Sequence, residues 1–301
     1  MKRRGARSAP HRNLEDIVSG TYRDLRYVRL ATGDLNKAAD FATGLVGLQE
    51  FARDEQRAYF RSDARAYSLC FSAADKGDAV ALTVARDTDL TAMAERLRAE
   101  GFAVSELDQA ACTARKIKKG IATSAPNGVA VELVWRPLTS GWRYHGPRDA
   151  GITEISSVSL ACTDIAANED FWTRVLGGAV SDWAGDAAYI RIDGAHHRIA
   201  LYPSARDGIL GVDFAVESIN NVMQNHYFLQ ARQMPIVQGP GRQPASEKIF
   251  VATRGPGDVL FSYSTGMSQA DPERTPRQFP DAALSHCAWG SPTNEPEFRG
   301  A

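Results

Sequence analysis

The chain repeats itself at a fixed distance of 130 residues. The segment LRYVRLATGDLNKAADFATGLVGLQ begins at Leu25 and recurs as ISSVSLACTDIAANEDFWTRVLGGA from Ile155 (155−25 = 130). Later landmarks keep the same spacing, since Tyr59 matches Tyr189 (189−59 = 130) and PNGVAVELV matches PGDVLFSYS. A spacing kept over so many residues indicates an internal duplication rather than chance. The chain is therefore predicted to fold as two similar halves.

Each half is predicted to contain two modules, and each module consists of a strand, a helix and about three further strands. The first strand is followed by Asp34 or Asp164, placed to cap a helix whose apolar residues lie three and four apart. The second modules begin with VALTVA and VDFAVE, and each is followed by a helical pattern. The predicted organisation is an N-terminal arm at 1–22, a first domain at 23–137, a linker at 138–151, a second domain carrying the site at 152–266, and a tail at 267–301.

The composition favours a small molecule as the binding partner. Lys plus Arg (35) balance Asp plus Glu (36), so no basic surface for nucleic acid or anionic membrane is indicated. The four cysteines have no C-x-x-C spacing, and no apolar run reaches the roughly 18 residues of a membrane span. The basic N-terminal arm lacks the apolar segment of a secretory signal. We expect a cytoplasmic protein that forms homo-oligomers and binds neither nucleic acid nor membrane.

Several motifs in one order resemble a known superfamily. The D-x-x-x-A-x-x-F starts, the P-x-G-x-x-x-E-L ending and the paired modules are similar to the vicinal oxygen chelate superfamily, which includes glyoxalase I, bleomycin-resistance proteins and type I extradiol catechol dioxygenases. The stretches AHHRIALYPS, GPGRQPAS and FSYSTG resemble the extradiol dioxygenases most closely. The resemblance covers residues 23–266. It implies an α+β fold of two tandem domains, whose four βαβββ modules form two cup-shaped sheets.

The metal site that this resemblance implies is not present in the sequence. In the family, two histidines and one glutamate of the C-terminal half hold Fe(II) or Mn(II) and leave positions open for the catechol and dioxygen. The corresponding positions here are interpreted as Ser157, Gly211 and Ser262. Two further positions of the family's catalytic apparatus also differ, since Gln243 replaces a histidine and Ala252 a tyrosine. We therefore predict no bound metal and no other cofactor.

Strand alternation predicts which side chains face the inside of the C-terminal cup, because residues two apart share a face. Apolar rows such as Val158 with Leu160, and Val212 with Phe214, are predicted to pack under helices. The opposite rows are predicted to line the concave face: Ser157 and Ser159, Gly211 and Asp213, Ser262 and Ser264, His196 and Arg198.

In the N-terminal half, the matching face keeps only the carboxylate. Tyr27 and Ala79 stand at the two histidine positions, and Glu132 stands at the glutamate position. An ion pair between Arg29 and Glu132 that closes a structural cup is predicted rather than a metal site.

Three residues are predicted to be catalytic. His196 would act as an acid or base, Arg198 would hold a carboxylate or enolate, and Asp213 would be a second base. Two other interpretations stay open: Arg198 and Asp213 could neutralise each other, and His196 could be structural. If HHRIALY is extended, His197 faces the helices, as does the matching Tyr67. The residues predicted to contact substrate are Ser157, Ser159, His197, Tyr202, Gly211, Gln243, Ala252 and Ser262.

Three functions are compatible with these residues. The first is metal-independent acid–base chemistry on an aromatic or ring-derived small molecule, by a lyase, isomerase or hydrolase. The second is a non-catalytic binding protein or an inactive partner subunit of a dioxygenase. The third is a dioxygenase whose metal is held by substitute ligands such as His196 and Asp213, which ligand geometry disfavours. A ligand recovered unchanged would favour the second function over the first.

Overall fold

The structure is a computed structural model that describes residues 20–291 and 293–300. The predicted N-terminal arm therefore lies outside the described residues, except for its last three positions. Of the described helices, none is both long and apolar enough to cross a membrane. Two mixed sheets with few helices form the fold, which confirms the predicted α+β class.

From residue 20 onwards, where the structure describes it, the N-terminal half contains eight strands and three helices. Its sheet has the order β2-β3-β4-β1-β5-β8-β7-β6. The strands are β1 (Tyr22–Ala31), β2 (Gln49–Arg53), β3 (Arg57–Arg61), β4 (Leu69–Ser72), β5 (Ala79–Val84), β6 (Ser105–Glu106), β7 (Lys119–Ser124) and β8 (Ala130–Trp135). The helices are α1 (Leu35–Asp40), which continues as a π-helical turn (Phe41–Val46), α2 (Asp87–Ala99) and α3 (Gln109–Ala114).

The C-terminal half repeats this architecture and adds one strand from the tail. Its sheet has the order β14-β15-β16-β13-β9-β12-β11-β10-β17. The strands are β9 (Ile152–Cys162), β10 (Ala179–Ala184), β11 (Ala187–Arg191), β12 (Ile199–Pro203), β13 (Gly208–Val216), β14 (Ile236–Arg242), β15 (Ile249–Arg254), β16 (Leu260–Thr265) and β17 (Arg277–Phe279). The helices are α4 (Ile165–Asp170), with a π-helical turn (Phe171–Val175), α5 (Ile219–Ala231) and α6 (Ala283–His286), and short 3₁₀ turns lie at Pro256–Asp258 and Pro296–Phe298.

The duplication seen in the sequence is present in the structure. The strands β1 and β9 begin at equivalent residues, since 152−22 = 130, and each is followed by a capped helix. Asp34 and Asp164 accept hydrogen bonds from the backbone N–H groups of Lys37 and Ala167, both at 3.0 Å. These contacts satisfy donors that the first turn of a helix leaves free, so both predicted N-caps are confirmed.

The predicted apolar rows lie in the main hydrophobic core. Val158, Leu160, Val212 and Phe214 are at most 1% exposed and belong to one cluster that includes side chains from both halves. Each such side chain contributes about 1.5–3 kcal/mol when fully buried. The alternation that placed these residues under helices is therefore confirmed, and it leaves the opposite rows facing the concave side.

The concave side of the N-terminal sheet is filled by its own side chains. Arg29 forms the predicted ion pair with Glu132 at 2.9 Å, and Tyr27 donates a hydrogen bond to the same carboxylate at 2.5 Å. Arg115 adds a second guanidinium at 2.8 Å. Tyr67 stacks on Tyr27 with ring centroids 4.7 Å apart, so the prediction that Tyr67 faces the helices is wrong. The N-terminal cup is thus a packed structural element.

The described part of the tail, residues 267–291 and 293–300, crosses the open face of the C-terminal sheet, and we call it the strap. At one edge, β17 pairs in parallel with β10. Near the other edge, the backbone N–H of Ala288 donates to the carbonyl of Arg242 in β14 at 2.8 Å. The strap therefore forms a roof over the C-terminal cup.

Candidate functional site

Three side chains lie level with one another on the floor of the C-terminal cup. Asp213 in β13 pairs with Ser157 in β9 on one side and with Ser262 in β16 on the other. Gly211 pairs instead with Ser159 and Leu260, two residues further along the sheet. The ligands of one metal ion must lie within a few ångströms of one another. Residues that pair directly across adjacent strands on one face of a sheet meet this condition. The second ligand position is therefore Asp213, and the prediction that placed it at Gly211 is corrected.

Asp213 is the centre of a buried hydrogen-bonded cluster. Its Oδ1 accepts from the hydroxyl of Ser262 at 2.6 Å, and its Oδ2 accepts from Ser264 at 2.6 Å and from Ser157 at 3.5 Å. The ammonium group of Lys248 lies 3.0 Å from Oδ2. Only 4% of the surface of Asp213 is exposed, and its two oxygens face four donors, which is the pairing that a buried charge requires.

The residues on this floor do not fit a divalent metal ion. Two of the three level side chains are serines, which are poor ligands, and the one carboxylate already holds an ammonium group. No group of three His, Cys, Asp or Glu side chains suited to a metal ion occurs among the residues that the structure describes. The cation in this cup is Lys248.

His196 and His197 lie together rather than on opposite faces. Strand β12 begins only at Ile199, so the pair lies in the preceding turn, where strand alternation does not apply. The Nδ1 atoms of the two rings are 3.0 Å apart, and His196 Nε2 is 2.9 Å from Oδ2 of Asp182. The prediction that the two rings face opposite sides is therefore wrong, because it assumed an extended backbone.

The protonation of this pair follows from its partners. A carboxylate only accepts hydrogen bonds, so Nε2 of His196 carries the proton and its Nδ1 accepts from Nδ1–H of His197. Burial lowers the pKa of both histidines, and the charge on Lys248 lowers that of His197 further. Both ring nitrogens of His196 are thus engaged, which makes it a structural residue in this arrangement.

Asp182 connects the histidine pair to the strap. It is fully buried and accepts hydrogen bonds from Arg274 at 2.9 Å and from Arg277 at 2.7 Å, both of which belong to the strap. Burial alone would raise the pKa of Asp182, but Arg277, Arg274 and His196 together hold it well below the usual range. Asp182 therefore fastens the strap to β10.

Arg198 does not share the cup with Asp213. Its guanidinium bonds Asp193 at 2.7 Å and the carbonyl of Ser156 at 2.8 Å, and it approaches Glu154 at 3.5 Å. It lines a separate polar cleft of about 430 Å³. The prediction that Arg198 and His196 share the concave face of the cup is corrected, because both precede β12 in a turn that directs their side chains away from the cavity beside Asp213.

A cavity of about 50 Å³ remains between the floor and the strap. Seven of the predicted site residues line it: Ser159, Tyr202, Gly211, Asp213, Gln243, Ala252 and Ser262. Ser157 lies beside it through its contact with Asp213, whereas His196, His197 and Arg198 are not among the lining residues. Of the three residues predicted to be catalytic, Asp213 therefore lines this cavity, whereas His196 and Arg198 do not.

Polar groups on one wall of the cavity are joined to one another. The amide nitrogen of Gln243 donates to the hydroxyls of Tyr189 at 3.2 Å and of Tyr202 at 3.5 Å, and Ser246 donates to its amide oxygen at 2.5 Å. Burial raises the pKa of Tyr202 to about 12, so its hydroxyl is neutral at physiological pH. This wall can offer hydrogen bonds without carrying charge.

Sequence reasoning missed the other lining residues, among them the two further titratable groups, Lys248 and His286, and the aromatic ring of Phe298. Lys248 could have been found, since it stands four residues before Ala252, and strand alternation places positions 248, 250 and 252 on one face. His286 and Phe298 come from the strap, whose sequence has no helical or strand periodicity that would indicate its path. No local signal predicts that they reach the cup.

Burial of His286 gives the roof a pH dependence. The side chain is 4% exposed, and burial lowers its pKa to about 4, an effect that Asp281 only partly opposes. A histidine in the unfolded chain titrates near 6.5, so protonation favours the unfolded chain. The free energy of unfolding therefore decreases as the pH falls from about 6.5 to 4. The variant His286→Phe lacks this pH dependence of stability, because phenylalanine does not titrate.

We expect the stability of the native protein, measured relative to His286→Phe by urea unfolding, to fall by about 2 kcal/mol between pH 7.5 and pH 5. His196 and His197 titrate in both proteins, so the difference isolates His286. A stability difference that does not change over this pH range would show that His286 is not buried as described.

Known proteins are similar to this chain in sequence and in fold. Residues 154–263 match the Glyoxalase/Bleomycin resistance protein/Dioxygenase superfamily, so the C-terminal half carries a domain of that superfamily. In sequence, the chain is 27% identical over 201 residues to a biphenyl-2,3-diol 1,2-dioxygenase of Pseudomonas sp. (strain KKS102). This match covers 59% of the chain and 66% of that enzyme.

Solved structures share the fold over nearly the whole chain. A halotolerant catechol dioxygenase has a TM-score of 0.84 at 18% identity, covering 93% of this chain and 98% of the other. A Mn(II)-bound glyoxalase from Novosphingobium aromaticivorans has a TM-score of 0.82 at 23% identity, covering 94% and 95%. The chain thus has the two-domain vicinal oxygen chelate fold and resembles the extradiol catechol dioxygenases in sequence and structure.

Proposed function

We propose that the C-terminal cup binds a small, ring-containing anion and does so without a bound metal ion. The observation that carries this proposal is the position of Lys248, whose ammonium group lies 3.0 Å from Oδ2 of Asp213. Asp213 pairs with Ser157 and Ser262 on the strands where the superfamily resemblance implies a metal ion. A buried ammonium group can attract a carboxylate, phenolate or enolate oxygen, as a divalent cation would, though with less charge.

Lys248 has hydrogen-bonding capacity to spare for a ligand. An ammonium group has three donors, and Asp213 is the one acceptor that Nζ contacts within residues 20–291 and 293–300. Lys248 lines the cavity, and its side chain is only 10% exposed. Two donors are thus available to an anionic group in a poorly hydrated place, where such hydrogen bonds are strong.

The walls of the cavity suit a planar ring. Tyr202, Phe250 and Leu260 line it, and aromatic and aliphatic surfaces of this kind bind rings by offset or edge contacts. The relative named as a biphenyl-2,3-diol 1,2-dioxygenase also supports a ring-containing ligand. A cytoplasmic location and a homo-oligomeric state remain part of the proposal.

A titration with benzoate and with benzyl alcohol tests this function, since the two share a ring and differ in charge. We expect benzoate to bind protein treated with a chelator. The double variant Lys248→Met/Asp213→Asn, in which no buried charge is left unpaired, should bind benzoate at least about tenfold more weakly. Its affinity for benzyl alcohol should stay the same.

Lys119→Met is the matched control, because Lys119 is an exposed lysine outside the cup. It should leave benzoate binding unchanged. Benzoate affinity that is the same in the native protein and in the double variant would contradict the proposal, and so would binding that requires added Fe(II) or Mn(II).

The second candidate function is acid–base catalysis on the bound molecule by a lyase, isomerase or hydrolase mechanism. The observation that favours it is a neutral imidazole, that of His286, among the lining residues of the cavity. Asp213 is less suited to this role, because its oxygens already accept from three hydroxyls and an ammonium group.

Mass spectrometry of small molecules that copurify with the protein separates the two candidate functions. A molecule that is converted on incubation with fresh protein would establish catalysis. A molecule recovered unchanged would establish the binding function alone.

A further inference from the structure

The side chain of Phe298 lies inside the roof of the cup. It is 8% exposed, and its ring meets that of Tyr202 edge-on with centroids 4.9 Å apart. The ring of His286 lies 5.7 Å from Tyr202 and 6.1 Å from Phe298. The strap therefore places one aromatic side chain and one imidazole against the wall that a ring-containing ligand would contact.

With the strap in this position, the cavity is too small for an aromatic ring. Its volume is about 50 Å³, whereas an apolar protein cavity that binds benzene measures about 150 Å³. The cavity cannot widen towards the sheet, because its floor consists of hydrogen-bonded strands. Leu210 and Leu260, which also line it, are almost fully buried in that sheet. Space for a ring is therefore obtained by moving Phe298 and not by deforming the sheet.

Polar contacts hold the strap on the sheet, but the imidazole of His286 is buried there without a hydrogen bond to Nδ1 from the described residues. Arg274 and Arg277 bind Asp182 at one end, and Glu297 accepts from the hydroxyl of Ser204 at 2.7 Å at the other. The Nδ1 atom of His286 is buried with no hydrogen-bond partner in the described part of the chain. A buried polar atom without a partner costs about 1–3 kcal/mol, which favours displacement of the strap.

We propose that the ring of Phe298 occupies the subsite that takes the ring of the ligand, so that the strap is a tethered competitor for the cup. The inference rests on the proposed binding of a ring-containing anion and adds where its ring lies. In this arrangement the anionic group of the ligand reaches Lys248, and its planar body takes the place of Phe298 beside Tyr202. Ligand binding then requires the strap to lift.

Three variants of the full chain test the subsite, with benzoate as the probe. Phe298→Ala removes the competing ring, and we expect it to bind benzoate at least about tenfold more tightly than the native protein. Leu284→Ala is the control, because Leu284 is an apolar residue of the strap that is 69% exposed and does not line the cavity. It should bind benzoate as the native protein does.

The triple variant Arg274→Ala/Arg277→Ala/Asp182→Asn removes these contacts of the strap without changing the cavity lining and without leaving the buried Asp182 charge unpaired. It should tighten benzoate binding in the same direction, and it keeps the test decisive if Phe298→Ala folds poorly. Equal benzoate affinity in the native protein, Phe298→Ala and the released variant would overturn the ring subsite.

The outcomes separate this inference from the proposed function. If Lys248→Met/Asp213→Asn weakens binding of benzoate while Phe298→Ala does not tighten it, the anion site stands and the ring subsite is overturned. If Phe298→Ala tightens binding of benzoate and benzyl alcohol alike, with no effect of Lys248, the ring subsite stands and the anion site fails. Absence of benzoate binding in every variant would overturn both.

Discussion

Replacing Lys248 by methionine is expected to lower the free energy of unfolding by about 3–5 kcal/mol. The substitution removes the cation that lies 3.0 Å from Asp213 and leaves a carboxylate that is 4% exposed with hydroxyl donors alone. Breaking one side of a buried ion pair has a large effect because the remaining charge has lost both its partner and its hydration. Urea unfolding at neutral pH measures the change.

Two companion variants make the result specific. Lys119→Met removes a lysine whose side chain is 61% exposed, and it should change stability by less than about 0.5 kcal/mol. Adding Asp213→Asn to Lys248→Met should restore part of the lost stability, because the amide is neutral and can still bond the serines. A loss below about 1 kcal/mol for Lys248→Met alone would show that the pair is solvated rather than buried.

Asp182→Asn is expected to have an effect of similar size and, in addition, to release the strap. The native carboxylate is fully buried and accepts hydrogen bonds from His196, Arg274 and Arg277. An amide of the same size cannot accept the charge-assisted hydrogen bonds that both arginines donate to the buried carboxylate, so we expect a loss of about 3 kcal/mol in the free energy of unfolding. Trypsin should then cut after Arg274 and Arg277 much faster than in the native protein.

Glu273→Gln is the control for this experiment, because Glu273 is an exposed acidic residue of the same strap. It should change neither the stability nor the rate of cleavage. If Asp182→Asn lowers stability but leaves the strap resistant to trypsin, then contacts other than those of Asp182 hold the strap in place.

The sequence predicted the fold well because the fold depends on repeated, local patterns. The spacing of 130 residues, the helix caps at Asp34 and Asp164 and the apolar rows beginning at Val158 are properties that neighbouring residues determine. The same alternation placed Ser262 correctly on the floor of the cup. These predictions needed no information about the rest of the chain.

The titratable groups of the site were harder to predict, because they depend on register and on distant segments. Asp213 rather than Gly211 is level with Ser157, a difference of two residues that alternation cannot detect because both share a face. His196 and His197 precede the strand, so a strand rule gave them the wrong orientation. The strap brings Arg277 and Phe298 to the domain through contacts that no local pattern specifies.

The central claim is that the ammonium group of Lys248 takes the place of a metal ion in this cup. Its most direct test is an anaerobic titration with Fe(II) and Mn(II), followed by dialysis and elemental analysis of the protein. The structure predicts that the native protein retains no stoichiometric metal, because two serines and an already paired carboxylate do not form a ligand set. Retention of about one Fe(II) or Mn(II) ion per chain, abolished by Asp213→Asn, would contradict the claim.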